Sequence, residues 1–411
     1  MNTIREPARD VPVIGDWDVV VCGGGPAGVA AAVSAARAGA RVHLVELYGS
    51  LGGIWTTGLL AYFLDHANKG GLMAEIIRRL EARGARAHDS RGEGTNAFDG
   101  EEVRILLDEL CLEAGVGLQL YSRVVAARVE AGRLRQVVVE SPSGREALSA
   151  RQFIDATGNG DLGALAGCGF DLGHPETGAQ QPMSLIGLLG GLRLEEVSGF
   201  VRQPGEAWAA PKDRLREAME RGGHSPSYGK PSLFPVRDDL FLLMANHEYG
   251  VKGIDARDLT AATLRGRREL HDLVNGLRRL GGPWSRLRLL ATSAQIGVRE
   301  GRRLHGRYTV TLDDMVAGRC HDDAVCRVAF GLDVHSTNPG AGKGIEPHPV
   351  RTQPYDIPLR ALQARDVEGL WMAGRCISGD FLAHSSYRVT GNAVAMGEAV
   401  GRAAVNAAAI G

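Results

Sequence analysis

Hydrophobic positions divide the chain into three stretches of different character. Near the start, an apolar run from Asp18 to Cys22 predicts a buried strand, an Ala-rich helix follows it, and a second apolar strand ends on Glu46. Residues 71–83 and 101–114 repeat apolar side chains at helical spacing. Between them, residues 88–100 are polar and Gly-rich, which predicts a surface loop. Residues 116–141 alternate as strands do, with a hairpin-like turn at Gly132, and 151–167 read as strand, turn and helix start. From Phe170 to Arg351 the pattern becomes mixed strands, long loops and helices, clearest as helix at 258–280. After residue 354 the early character returns. Residues 355–362 read as extended, 369–373 as a short buried strand, Gly374-Arg375 as a turn and 392–409 as a small-residue helix. Such a helix packs against another backbone or a flat ring system, because Ala and Gly permit close approach.

This order predicts an α/β protein. A Rossmann-like domain is built from residues 1–169 and 353–411, and a mixed α+β domain is inserted at 170–352. The junction after the first strand carries Gly23-x-Gly25-x-x-Gly28. The first glycine permits a tight turn, the second lets backbone approach a pyrophosphate, and the third lets helix and strand pack closely. Pro26 suits a helix start, where its missing N–H costs nothing. Glu46 follows Gly25 by about twenty residues, the spacing at which an acid reaches ribose hydroxyls. Strand, helix, strand and acid in this order make a dinucleotide site. Gly158-x-Gly160-x-x-Gly163 repeats the spacing, but its strand is short and no βα unit with a terminal acid follows. Ala156-Thr157-Gly158 is therefore read as part of the first nucleotide's site; a genuine second unit would add NAD(P)H binding.

Composition narrows the classes. A chain of 411 residues has room for two or three domains. Its formal net charge of -1 gives no sign of nucleic-acid or acidic-membrane partners. No apolar stretch reaches about 18 residues, and Met1 to Asp16 lacks an apolar signal core, so a cytoplasmic protein with no membrane span is expected. The six cysteines form no C-x-x-C pair, which argues against a dithiol redox centre and a zinc ribbon. Cys320 and Cys326 flank His321 with too few further ligands nearby, and no metal is expected.

Five separated motifs carry a resemblance: VVVCGGGPAGVAAA at 19–32, VELYGSLGG at 45–53, IDATGNGDLGALAG at 154–167, GVREGRRLHGRYTVTLDD at 297–314 and GLWMAGRCIS at 369–378. In this order they resemble the bacterial FAD-dependent oxidoreductase family. That family lies in the glutathione-reductase-like superfamily, near the succinate dehydrogenase and fumarate reductase flavoproteins. The resemblance implies a noncovalent FAD. Gly23, Gly25, Pro26, Ala27 and Gly28 would hold its pyrophosphate, and Glu46 with the adjoining Leu47 its adenosine ribose. Gly52 and Gly53 would pass close to the ribityl or pyrophosphate part, and Val124 would offer backbone groups to the adenine. Ala156 and Gly158 would close over the adenosine end, and Gly374 and Arg375 would flank the ribityl chain. The turn at Thr390 to Asn392 would aim a helix N-terminus at the flavin N1/C2=O edge. Two positions depart from the family pattern: Arg375 stands where many members carry Asp, and Phe381 where relatives often carry His. No His immediately precedes the Gly52-Gly53 step, where some members attach flavin covalently; His66 leaves an alternative for such attachment.

In such a protein the flavin carries the redox step and side chains orient substrate and move protons. Candidates for substrate contact or acid/base work are His335 in GLDVHSTN, and His384 and Arg388 in what reads as a loop leading into the last helix. A buried structural histidine is the alternative for His335, and an ion pair with Asp380 for Arg388. Arg299, Arg302 and Arg303 are candidates for a substrate carboxylate or a structurally paired face. Tyr62 and His66 are weaker candidates, and Gln180 to Ser184 are expected to open a strand covering the flavin's other face. The leading reading is an FAD-dependent oxidoreductase, a dehydrogenase or reductase of a small organic molecule, with an unknown electron acceptor and oligomeric state. A flavin-dependent monooxygenase and a non-catalytic FAD-binding subunit are the alternatives.

Overall fold

The computed structural model describes residues 3–88, 94–237, 239–340 and 342–410. A first strand, Val13–Cys22, runs parallel to Val42–Val45 on one side and to Gly144–Asp155 on the other, and Gly117–Gln119 extends the sheet beyond Val42–Val45. Strand Gly144–Asp155 has two partners on its far side. Its first half pairs antiparallel with Arg133–Ser141, which continues through an Ala131-Gly132 turn to Arg123–Glu130. Its second half pairs parallel with Leu370–Met372, so the C-terminal segment completes the sheet that the N-terminal segment begins. Val19 to Cys22 are fully buried, as the unbroken apolar run requires.

Helix Pro26–Arg37 and the long C-terminal helix Thr390–Ile410 pack backbone to backbone. A β-carbon on Gly397 would lie 2.1 Å from the Ala27 carbonyl oxygen, and one on Gly401 would lie 2.3 Å from that of Ala31. The small residues of the last helix are therefore used on another helix.

A second sheet is antiparallel throughout, in the order Ser232–Arg237, Leu240–Met244, Ile186–Gly190, Arg288–Thr292. Helices Ala210–Arg221 and Ala256–Leu280 pack with it around a separate apolar cluster that includes Leu185, Leu189, Phe241, Leu243 and Leu270. Asp255 caps the long helix by accepting from the Arg257 and Asp258 N–H groups.

The α/β architecture is the expected one, with local differences. Residues 94–98 are a strand, Gly94–Phe98, paired with Arg86–His88; residues 89–93 lie outside the described residues. Phe98 anchors it against Trp55 and Phe63, and burial of that aromatic group outweighs the local polar composition. The presumed loop before the last helix is itself a helix, Phe381–Tyr387, with Asp380 accepting from the Ala383 N–H at its start. Gly158-x-Gly160-x-x-Gly163 leads into one helical turn, Asp161–Leu165, and then to the two-residue strand Phe170–Asp171, which pairs antiparallel with Arg303–Leu304. The chain does not return to the parallel sheet there, so this second glycine pattern is not a second nucleotide unit. Among the described residues no helix is long and apolar enough to cross a membrane.

Candidate functional site

The glycines of the first turn behave as their spacing predicts. Gly23 has φ +106°, and a β-carbon there would lie 2.4 Å from the Ala156 carbonyl oxygen. Gly28 sits so close to Gly23 that a β-carbon would meet its carbonyl oxygen at 1.8 Å. Gly25 is different, since a β-carbon there would meet no atom within 4 Å. It is also the N-cap of helix Pro26–Arg37, with no side chain bonded to the helix's first N–H groups. A helix N-terminus left uncapped beside open space is an anion site.

Glu46 closes one side of this turn. Its carboxylate accepts from the Gly24 N–H and, at 2.8 Å, from the Tyr48 N–H. Burial pushes its pKa up against the pull of those donors. The Glu46 carbonyl accepts from the Ser122 N–H, which brings the buried Val124 segment alongside. The Leu47 side chain is exposed. Gly52 donates its N–H to the Gly24 carbonyl at 2.8 Å, and a β-carbon on Gly53 would lie 3.2 Å from the Gly25 Cα.

Across the turn, buried Asp155 holds the Ala156-Thr157-Gly158 segment. It accepts from the Thr157 N–H at 3.0 Å, the Thr157 hydroxyl at 2.7 Å and the Gly163 N–H at 2.8 Å. Burial raises the Asp155 pKa, and these bonds oppose the rise. Gly158, at φ +76°, leaves room for the Arg375 guanidinium, which a β-carbon would meet at 2.6 Å. Gly374, at φ +83°, abuts Ala27. Arg375 donates to the Asn159 side-chain oxygen at 3.3 Å, while its Nε has no partner. Burial lowers its pKa to about 10, so it remains a cation.

A cavity of about 430 Å³ is lined by segments of the nucleotide half and by the second sheet. One wall carries Ile54, Leu60 and Tyr62 with Arg375, Val389 and Thr390; the facing wall carries Ser184, Ile186, Phe234 and Met244. Thr390 and Asn392, at the start of the C-terminal helix, each hold a buried polar atom without a partner: the Thr390 hydroxyl and the Asn392 amide nitrogen. Burying a polar group unbonded costs roughly 1–3 kcal/mol. A ligand presenting oxygen or nitrogen atoms to this helix end removes that cost. The open Gly25 turn, the unpartnered polar atoms at the start of the last helix and the free Arg375 Nε together fit a dinucleotide carrying a polar ring.

Two of the three expected chemical residues reach the cavity. His335 lines it, with its Nε2 3.5 Å from Asp333 Oδ2 and its Nδ1 unpartnered. Burial, then the Arg299 charge, lower its pKa to about 3, so it is a neutral imidazole. Arg388 lines the cavity too, but its ion-pair partner is Asp333, at 3.0 Å, rather than Asp380, which is occupied capping its helix. Burial would raise the Asp333 pKa, but the His335 hydrogen bond and the Arg388 charge hold it below the ordinary range. His384 is fully buried in helix Phe381–Tyr387, with neither ring nitrogen bonded, and is not on the cavity wall. His66 is likewise away from it.

The arginine run divides. Arg302 pairs with Asp161 at 2.8 Å, and Arg303 with Glu300 at 2.5 Å. Arg299 alone of the three lines the cavity. It donates to the Pro182 carbonyl, the Ser184 hydroxyl and His247 Nε2. Lys212, Trp208 and Tyr228 also line the cavity and had no signal in the sequence. Lys212 lies in an amphipathic helix where a lysine ordinarily faces solvent. Asp155 had one that went unread: an acid at a strand end, just before a Gly-bearing turn.

The chain was compared with known proteins. A family model described as FAD dependent oxidoreductase matches residues 18–411. The thiamine thiazole synthase of Aeropyrum pernix is 31% identical over 157 residues, which cover 34% of this chain and 54% of that protein. The chain thus spans about half the length of this curated relative. Similar solved structures include a geranylgeranyl bacteriochlorophyll reductase-like protein from Thermoplasma acidophilum (13% identity, TM-score 0.46, 95% of this chain and 77% of that one). The flavin-dependent brominase Bmp2 is another (12%, 0.48, 96% and 79%). A third is the p-nitrophenol 4-monooxygenase of Pseudomonas putida (14%, 0.43, 72% and 70%). The family match spans nearly the whole chain, including the glycine turn, Glu46, the Asp155 segment and the C-terminal helix: this protein belongs to the FAD dependent oxidoreductase family, is an enzyme of that kind, and takes FAD as its cofactor.

Proposed function

We propose that the protein is a dehydrogenase or reductase of a small organic molecule, with FAD held noncovalently. When bound, FAD supplies hydride transfer at its N5 atom. Gly23, Gly25, Pro26, Ala27 and Gly28 would hold the pyrophosphate, Glu46 the adenosine ribose, and the Val124 and Gly158 segments the adenine end. Gly52, Gly53, Gly374 and Arg375 would follow the ribityl chain. Thr390 and Asn392 would meet the ring at the start of the last helix. His335 and Arg388 are the groups of this chain best placed to touch substrate, and Asp333 orients both of them.

One observation carries this reading. A single cavity is walled both by Arg375 and Thr390, from the C-terminal segments of the nucleotide half, and by Ile186 and Met244, from the second sheet. A flavin ring and a small substrate can meet there away from bulk water. In keeping with this, we assign residues 1–169 and 353–411 to the FAD domain and 170–352 to the substrate domain. The superfamily near the succinate dehydrogenase and fumarate reductase flavoproteins is the placement we favour.

The test is anaerobic mixing of the flavin-loaded protein with candidate substrates, or with NADH and NADPH, while following the visible flavin absorbance. The proposal expects substrate to bleach the flavin without pyridine nucleotide. Bleaching by NADPH alone, followed by oxygen-dependent hydroxylation, would identify a monooxygenase instead. Bleaching only by a partner protein would identify a non-catalytic subunit.

A further inference from the structure

Four cations face the cavity, Lys212, Arg299, Arg375 and Arg388, against one carboxylate, Asp333. They are not equivalent. Arg388 is neutralised by Asp333. Arg375 comes from the turn beside Gly158 and Asn159, on the dinucleotide side. Arg299 spends donors on neutral acceptors, the Pro182 carbonyl, Ser184 and His247, so its charge is left uncompensated. Lys212 differs from all three. Its side chain is largely buried, its ammonium has neither a hydrogen bond nor an ion pair among the described residues, and its Nζ lies 3.6 Å from the centre of the exposed Trp208 ring, open to the cavity.

The ring face gives this ammonium about 0.5–2 kcal/mol, and none of its three donors meets a protein acceptor among the described residues, so all three are available to a ligand. Lys212 sits on helix Ala210–Arg221, which packs on the second sheet's edge strand Ser232–Arg237 and on the long helix Ala256–Leu280. It therefore comes from the second-sheet side of the molecule. Much of the remaining lining is apolar, with Ile54, Leu60, Leu64, Ile186, Phe234 and Met244.

We propose that the substrate is a small organic monocarboxylate with an apolar or aromatic body, its carboxylate bound by Lys212 in the positive field of Arg299 and its body against the apolar walls. This assignment rests on the FAD-dependent reading above and names the substrate class of that site. One ammonium with free donors matches one carboxylate, because the Arg299 donors are already engaged by Pro182, Ser184 and His247 and leave no second fork for another carboxylate. Lys212 is here a substrate-binding group, not an acid or base.

The experiment uses flavin-loaded protein and four probes: benzoate, hexanoate, the neutral benzamide and the dianion succinate. Binding is read by calorimetry and by the shift of the bound flavin's visible spectrum, for wild type, Lys212→Met and Lys212→Arg. The expected result is that benzoate and hexanoate bind at least tenfold tighter than benzamide and succinate. Lys212→Met should remove that preference and Lys212→Arg should keep it. Equal affinity for benzoate and benzamide, tighter binding of succinate, no binding of either monocarboxylate, or an unchanged preference in Lys212→Met would each overturn the proposal. Flavin content is scored separately: protein that takes up no FAD sinks the underlying reading, whereas flavin-loaded protein indifferent to carboxylates sinks this inference alone.

Discussion

The carbonyl oxygen of Ala27 occupies the space beside Gly397 so fully that a β-carbon on Gly397 would lie 2.1 Å from it. Ala27 belongs to the first turn of the helix that follows the glycine loop, and Gly397 to the C-terminal helix that starts at Thr390. One contact thus locks the start of the first helix onto the body of the last. Gly397→Ala must push the helices apart. Overpacking of this kind costs about 1–3 kcal/mol, occasionally more. Urea unfolding should show that loss together with weaker FAD retention. Gly199→Ala, at a site where a β-carbon meets nothing within 4 Å, should change stability by less than about 0.5 kcal/mol.

Asp155 satisfies two backbone N–H groups, of Thr157 and Gly163, and the Thr157 hydroxyl. Asp155→Ala leaves buried donors unbonded, at about 1–3 kcal/mol each. The expected outcome is a lower denaturation midpoint and a raised Kd for FAD, both read on the same preparation.

Arg388 and Asp333 form a mostly buried pair, and removing one member strands the other. Arg388→Met should cost about 3–5 kcal/mol. The double variant Arg388→Met/Asp333→Asn should recover much of that loss, because no unpaired charge remains. A double variant as unstable as the single one would show that the side chains act through packing instead of charge.

The Lys212 ammonium gives a pH dependence with a definite sign. Burial, with Arg202 and Lys230 adding to it and Asp333 opposing, lowers its pKa to about 8. Below that value the cation is present and a carboxylate probe binds fully. Above it, benzoate affinity should fall roughly tenfold per pH unit, as loss of one proton dictates. Two other groups on the cavity wall do not mimic this: the Tyr228 hydroxyl is pushed up to about 12, and Arg299 is lowered to about 10. Lys212→Arg should hold its benzoate affinity across the same range, measured by calorimetry from pH 6 to pH 9.5 at about one-unit steps.

The nucleotide half of the fold was legible because its physics is local. Gly28 is fixed by its approach to Gly23 a few residues away, and Val19 to Cys22 advertise a strand buried on both faces. The small residues of the last helix announced a close approach, and Gly397 and Gly401 make it on Ala27 and Ala31. The cavity was less legible because its walls come from distant segments. Nothing near Lys212 in sequence says that its helix turns inward beside Trp208, and only the fold pairs Arg388 with Asp333 rather than the nearer Asp380. His384 shows the opposite error. Its position before the last helix suggested exposure to the ring, but the unforeseen helix Phe381–Tyr387 buries it entirely.

The central claim is that FAD lies across the first glycine turn, and Gly25→Val tests it most directly. Gly25 has φ -70° and ψ -177°, which any L-residue adopts, and a β-carbon there touches nothing within 4 Å. The variant should therefore fold and melt as the flavin-free wild type does. Its side chain would nevertheless fill the space the pyrophosphate needs. Titration with FAD, followed by quenching of flavin fluorescence, should give one bound FAD per chain for wild type and none for Gly25→Val. A correctly folded Gly25→Val protein that binds FAD as tightly as wild type would contradict the account.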